Sequence, residues 1–93
     1  MSASSETSTP SATMTVVLPA NLHARPAGRL ARTAAEFSST ITIEHDGRTI
    51  SPTGVLAVMG LGAVAGTAVT ITADGADAES AVRSLAEVLA AAE

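Results

Sequence analysis

The sequence contains no cysteine, lysine, tryptophan or tyrosine, and Phe37 is its only aromatic residue. Without cysteine, the chain can form neither a disulfide nor a cysteine-ligated metal or redox centre. A single aromatic side chain provides no stacking platform for single-stranded nucleic acid. The five arginines are outnumbered by nine acidic residues, and the net charge of −4 leaves no basic field for a phosphate backbone. We therefore expect no nucleic-acid partner.

Long hydrophobic runs are also missing. No apolar run approaches the roughly 20 residues that a membrane-spanning helix needs. The N-terminus lacks the basic and then apolar order of a secretory signal. These two absences predict a protein that does not insert into membranes and acts in the cytoplasm. Because the chain has 93 residues, we predict a single core and no second domain.

The first part of the chain has the composition of a disordered tail. Residues 1–13 (MSASSETSTPSAT) are mostly Ser, Thr, Ala and Pro and show no hydrophobic period. Such a segment buries too little apolar surface to order itself. We therefore predict a disordered tail over residues 1–13 and a folded domain over residues 14–93.

Short β-branched or alternating runs predict four strands. In the second and fourth runs, isoleucine and valine alternate with threonine, which is typical of a strand with one buried face. Asp46-Gly47 supplies the positive φ of a tight hairpin turn, and Asn21, after the first run, also tolerates a left-handed conformation. The predicted strands are residues 14–18, 40–44, 48–50 and 67–73.

Apolar residues at helical spacing predict helices over residues 26–37, 55–59 and 77–92. Pro26 is tolerated because it lies in the first turn, and Asp77 is a suitable N-cap for the last helix. Three nearby glycines make a long middle helix unfavourable. The order is therefore β-α-β-β-α-β-α. Because each strand has only one apolar face, we predict an α+β fold in which helices cover one side of an antiparallel sheet.

His23 stands immediately before the first predicted helix, within the stretch PANLHARPA over residues 19–27. There its ring lies beside backbone N–H groups that have no intrahelical partner, at the positive end of the helix dipole. Such a site favours an anion and the neutral imidazole, which can take up a phosphoryl group as a covalent nucleophile. Arg25 would add a forked positive charge suited to phosphate oxygens. Spacing alone leaves open that His23 is an ordinary polar residue of a loop.

No other chemistry stands out in the sequence. His45, beside the predicted turn, is interpreted as a hairpin-end residue. Two histidines without cysteines or a carboxylate cluster do not indicate a metal site. The sequence shows no nucleophile-base triad, phosphate-binding glycine loop or carboxylate pair, so we expect neither a cofactor nor a self-contained enzyme.

The residues around His23 resemble the active-site motif of HPr, the histidine-containing phosphocarrier of the bacterial phosphoenolpyruvate:sugar phosphotransferase system. The motif is LHARPA over residues 22–27. The similarity continues through VMGLG over 58–62, GTAVTI over 66–71 and DGAD over 74–77. It covers residues 14–93 without an evident gap.

The resemblance implies an open-faced sandwich, with a four-stranded antiparallel sheet under three helices. It also implies that His23 accepts a phosphoryl group on Nδ1 from phosphorylated enzyme I and passes it to enzyme IIA domains of sugar transporters, with Arg25 as its charge partner. The chain would then be a carrier acting between enzymes, and we expect a monomer. A regulatory module, in which phosphorylation of His23 controls a target protein instead of feeding transport, stays open as an alternative.

In the HPr family the docking surface is formed by the first helix and the short second helix. An apolar patch ringed by arginine suits brief contacts with acidic partner surfaces. Gly54 stands where many Gram-positive members carry a regulatory serine, so modification at that position is impossible here, and Ser51 or Thr53 is only a weak substitute. The resemblance assigns docking to Ala24, Gly28, Arg29, Arg32, Val55, Leu56 and Met59.

Overall fold

Four strands and three helices follow one another along residues 10–93, which are the residues that the structure, a computed structural model, describes. None of the helices in this part of the chain is long and apolar enough to cross a membrane. The strands are β1 (Ser11–Val17), β2 (Thr40–His45), β3 (Arg48–Ile50) and β4 (Ala68–Asp74). The helices are α1 (Ala24–Ala34), α2 (Val55–Gly60) and α3 (Ala78–Ala90).

The strands form one antiparallel sheet in the order β1-β4-β2-β3. Its central strand, β4, pairs with β1 on one side and with β2 on the other. Thr72 of β4 therefore lies between Thr13 and Thr42. The predicted element order and the antiparallel sheet are both confirmed.

The core lies between one face of this sheet and the helices. In β2 and β4 the aliphatic residues are buried, while the threonines between them face the other side. Burying one such side chain contributes about 1.5–3 kcal/mol. Alternation therefore decides which face the helices cover. The fully buried aliphatic residues of the sheet and of the two longer helices include Ile43, Val69, Ile71, Leu30, Leu85 and Leu89.

Strand β1 begins earlier than the sequence predicted. Ser11–Val17 forms the strand, with Ser11 opposite Asp74, whereas the prediction placed residues 11–13 in a disordered tail. The prediction was wrong there because β4 continues to Asp74 and supplies backbone partners that polar composition does not reveal. The remaining tail residues, 1–9, lie outside the described residues.

The turns agree with the sequence except at Asn21. Asp46 (φ 51°) and Gly47 (φ 82°) both adopt the left-handed region expected of the hairpin. Among the described residues, Asp46 is the only non-glycine residue with positive φ, so the left-handed conformation considered for Asn21 is wrong. Helix α1 also ends at Ala34, three residues before the predicted end at Phe37.

Asp77 precedes α3 as predicted, but its side chain does not cap the helix. Its carboxylate instead accepts hydrogen bonds from the N–H groups of Ser38 (2.9 Å) and Ser39 (3.0 Å) and from both serine hydroxyls. A side chain on Gly75 would place its Cβ 2.8 Å from the Ser39 Cα, so only glycine fits this close approach. The bonds join the segment after α1 to the start of α3.

The Asp77 contacts predict a pH-dependent loss of stability. The Ser39 hydroxyl and the Ser38 backbone N–H hold the pKa of Asp77 below its ordinary value. A depressed folded-state pKa means that the contribution is present above the unfolded pKa, about 3.9, and is lost as pH falls through the folded pKa. We expect Asp77→Asn to lower the Tm at neutral pH, because an amide nitrogen cannot accept a hydrogen bond.

The Tm difference between the wild type and Asp77→Asn should shrink as the pH falls below about 4. Thermal unfolding followed by circular dichroism over a pH series measures it. Asp74→Asn is the matched control, because Asp74 is exposed and its carboxylate accepts no hydrogen bond within residues 10–93. Equal losses in the two variants at neutral pH would contradict the assignment.

Candidate functional site

His23 is the N-cap residue of α1. Its backbone is extended (φ −90°, ψ −164°), and its ring makes no capping hydrogen bond. The side chain is exposed, while Leu22 before it and Pro26 after it are buried. The buried neighbours fix the backbone on both sides, and the imidazole faces solvent at the end of the helix.

Two backbone donors at the start of α1 are unused. Within residues 10–93, the N–H groups of Ala24 and Arg25 have no acceptor, and Pro26 has no N–H. The first helical bond runs from the Ala27 N–H to the His23 C=O (3.0 Å). The first turn contains no acidic residue. This open, positive helix end is an anion-binding environment next to the His23 ring.

Two hydrogen bonds hold the histidine loop against the segment that follows α2. The Leu22 N–H donates to the Ala63 C=O (3.0 Å), and the Ala65 N–H donates to the Asn21 Oδ1 (2.9 Å). Sequence analysis gave no role to residues 63–65. The sequence feature that could have indicated this contact is the pair of glycines around the segment. Gly62 (φ 66°) and Gly66 (φ 87°) turn the chain at each of its ends.

The three arginines of α1 are exposed. Arg25 and Arg29 line a cavity of about 70 Å³ together with Pro26, Ala92 and Glu93. A side chain on Gly28 would place its Cβ 3.8 Å from an Arg32 guanidinium nitrogen, so these two predicted residues are neighbours. Within residues 10–93 the single ion pair joins Arg83 to Glu79 (3.7 Å). The guanidinium charges along α1 are therefore available to an anionic group.

The short helix α2 presents apolar side chains to solvent beside α1, against which it packs. Val58 is fully buried and anchors α2, whereas Val55, Leu56 and Met59 are 37, 83 and 39% exposed. Val64, in the segment that holds the histidine loop, is 47% exposed. The structure thus places the predicted docking residues of both helices on adjacent elements.

Gly54 is the N-cap residue of α2 and has an ordinary extended backbone (φ −100°, ψ 114°). A Cβ at this position would meet only the Ala57 Cβ at 3.5 Å, so glycine is not required sterically. The hydroxyls of Ser51 and Thr53 hydrogen-bond to each other (2.9 Å). At the other end of α2, Arg48 donates to the Gly60 C=O (3.1 Å) and ties the helix to β3.

His45 ends β2 opposite Arg48, at the predicted hairpin. Its Nδ1 is buried and has no hydrogen-bond partner among the described residues. In the part of the chain that the structure covers, no group of three histidine, aspartate or glutamate side chains could hold a metal ion. His45 thus lies at the β2–β3 hairpin, whereas His23 lies at the start of α1.

Comparison with known proteins identifies the fold. A family model described as the PTS HPr component phosphorylation site matches residues 10–91. The phosphocarrier protein HPr of Bacillus anthracis is 34% identical, with 85% of this chain and 96% of that chain covered and a TM-score of 0.78. The histidine-containing phosphocarrier protein of Mycoplasma is 33% identical, with coverages of 87% and 100% and a TM-score of 0.79.

A third similar structure is Crh, described as the catabolite repression HPr of Bacillus subtilis. It is 30% identical, with 90% of this chain and 100% of that chain covered and a TM-score of 0.73. The fold and these matches define a phosphocarrier protein, which is a carrier and not itself an enzyme. The chain belongs to the HPr family.

The bond between Asn21 and Ala65 predicts a measurable local effect. Asn21→Ala removes the acceptor of the Ala65 N–H and should lower the free energy of unfolding by about 1 kcal/mol. Hydrogen exchange at the Ala65 amide should become faster. Asn21→Asp keeps an oxygen acceptor and is the control, with Ala65 protected as in the wild type. Unchanged exchange at Ala65 in Asn21→Ala would disprove the role of this bond.

Proposed function

We propose that this chain carries a phosphoryl group on Nδ1 of His23, accepting it from phosphorylated enzyme I and delivering it to enzyme IIA domains during sugar uptake. The observation that carries the proposal is the exposed His23 ring at the open N-terminus of α1. Membership of the HPr family supports the same role. In this proposal the carrier works in the cytoplasm, between its two protein partners.

The transfer needs a nucleophile and a place for negative charge. An imidazole nitrogen of His23 attacks the phosphorus as the bond to the donor nitrogen breaks, and the bonding electron pair returns to the donor. The phosphoryl oxygens then lie near the unused N–H groups of Ala24 and Arg25 and the Arg25 guanidinium. Phosphoryl transfer depends chiefly on positioning and charge stabilisation, so this set of groups is sufficient for a carrier.

Docking in this proposal uses the surface formed by α1 and α2. The exposed arginines of α1 attract acidic partner surfaces and raise the encounter rate. The exposed apolar residues of α2 supply the contact area. Ala24 and Gly28 are small enough for a partner backbone to approach the helix closely. The docking residues are Ala24, Gly28, Arg29, Arg32, Val55, Leu56 and Met59.

A regulatory role is a second candidate, favoured by the similarity to Crh. In that role phosphorylation of His23 would change the affinity for a target protein, and sugar uptake would not depend on the chain. Complementation of a strain that lacks HPr separates the two roles. Restored growth on a transported sugar supports the carrier role, whereas phosphorylation of His23 without restored growth supports the regulatory one.

The carrier role predicts one phosphorylated histidine. Incubation with phosphoenolpyruvate and enzyme I should add one acid-labile phosphate, measured by intact-mass spectrometry at neutral pH. His23→Ala should abolish the label, because the nucleophile is gone. His45→Ala, which removes the only other histidine, should keep it. A label that persists in His23→Ala would refute the proposal.

The proposed docking surface predicts that a substitution on it changes the KM for phosphoryl transfer but not the free energy of unfolding. Leu56 is 83% exposed, so Leu56→Ser should change the free energy of unfolding by at most about 0.5 kcal/mol. It should raise the KM for transfer from enzyme I several-fold, because the apolar contact is lost. Val17→Ser, at a 64% exposed position on β1, is the control. Equal KM values for the two variants would place docking elsewhere.

A further inference from the structure

The methionines are the only sulfur-containing residues of this chain, because it has no cysteine. A peroxide oxidises the thioether of methionine where solvent reaches the sulfur. Two of the three methionines lie within residues 10–93. The side chain of Met14 is 40% exposed and that of Met59 is 39% exposed. Both are therefore accessible to a small oxidant.

Met59 lies on the docking surface proposed above. It follows Val55 by four residues and Leu56 by three, so the three side chains share one face of α2. Val58 is fully buried and holds α2 against the rest of the protein. A chemical change at Met59 therefore alters the surface that a partner meets and leaves the core intact.

Met14 has the same exposure but lies elsewhere. It is in β1, opposite Ile71 of β4. Strands β1 and β3 form the two opposite edges of the sheet. Helix α2 lies beside β3, to which the bond from Arg48 to the Gly60 C=O (3.1 Å) ties it. Met14 is therefore an internal reference, a methionine of matched exposure away from the docking surface.

We propose that Met59 is a reversible oxidation site through which a peroxide weakens docking of the carrier to its partner. This inference rests on the proposed function. A lone pair of the Met59 Sδ attacks one peroxide oxygen, and the S–O bond forms as the O–O bond breaks. The proton of that oxygen passes to the departing hydroxide, which leaves as water. Sulfur loses two electrons, and the peroxide gains them. Thiol-dependent methionine sulfoxide reductases reverse the reaction.

Oxidation replaces part of an apolar patch with a polar oxygen. Burying that oxygen against a partner that offers no hydrogen-bond donor is unfavourable. The sulfoxide carries no net charge, so the encounter rate that the α1 arginines provide, and its salt dependence, should be unchanged. The His23 imidazole is not modified. We therefore expect the KM for transfer from enzyme I to rise about three- to tenfold with the same kcat.

The first test oxidises the carrier alone. The wild type is treated with hydrogen peroxide, the peroxide is removed, and transfer from untreated enzyme I is measured. Peptide mass mapping gives the sulfoxide fraction at Met14 and at Met59. The rise in KM should follow the fraction at Met59. Incubation with the two reductases, one for each sulfoxide epimer, should restore the KM. A Met59 that resists oxidation while Met14 is oxidised overturns the proposal.

Matched variants assign the effect to one sulfur. Met14→Leu should keep the peroxide sensitivity of the wild type. Met59→Leu has no sulfur on α2, so its KM should be the same before and after treatment, whatever its starting value. Met59→Gln places a polar group on the patch and should raise the KM without peroxide. A sensitive Met59→Leu, or an insensitive Met14→Leu, overturns the proposal.

Two further measurements separate the possible failures. Oxidised Met14→Leu should keep the Tm of its untreated form, and a lower Tm would mean that damage to the fold, and not weaker docking, raises the KM. If untreated wild type takes no phosphoryl group from enzyme I, the proposed function fails and this inference fails with it. If the wild type is phosphorylated with the same KM before and after oxidation of Met59, only this inference fails.

Discussion

Burial of aliphatic side chains on one face of the sheet is the interaction on which the rest of this structure depends. The chain has no disulfide and only one aromatic residue, so isoleucine, leucine, valine and alanine must supply the core. A domain of this size buries a modest fraction of its surface and has little stability in reserve. The strict alternation of β2 and β4 therefore sets how the two layers pack. It commits one face of the sheet to the helices and leaves threonines on the other.

The same burial positions the candidate site. Leu22 and Leu30 are buried on either side of His23, so the core fixes where α1 begins and how it lies. The imidazole thus lies at the helix end although its ring makes no capping hydrogen bond. Such an arrangement suits a carrier, whose reactive group must be accessible to two partners in turn. The bonds to Ala63 and Ala65 limit the motion of the backbone without covering the side chain.

The exposed side chains of α1 and α2 form a surface of mixed physical character. This surface combines guanidinium groups that form no ion pair within residues 10–93 with exposed aliphatic residues, the combination on which the proposed docking rests.

Local sequence determined the number and order of the elements, the apolar face of each, the Asp46-Gly47 turn and the place of His23 before α1. Periodicity, proline geometry and turn preferences act between neighbouring residues, so they are visible in sequence. The tertiary structure decided where β1 begins, because β4 supplies the partners of Ser11. It also decided that the Asp77 carboxylate accepts a hydrogen bond from the Ser38 N–H instead of capping α3. Likewise, the Asn21 side chain accepts a hydrogen bond from the Ala65 N–H. These partners are separated by 39 and 44 residues, and only folding brings them together.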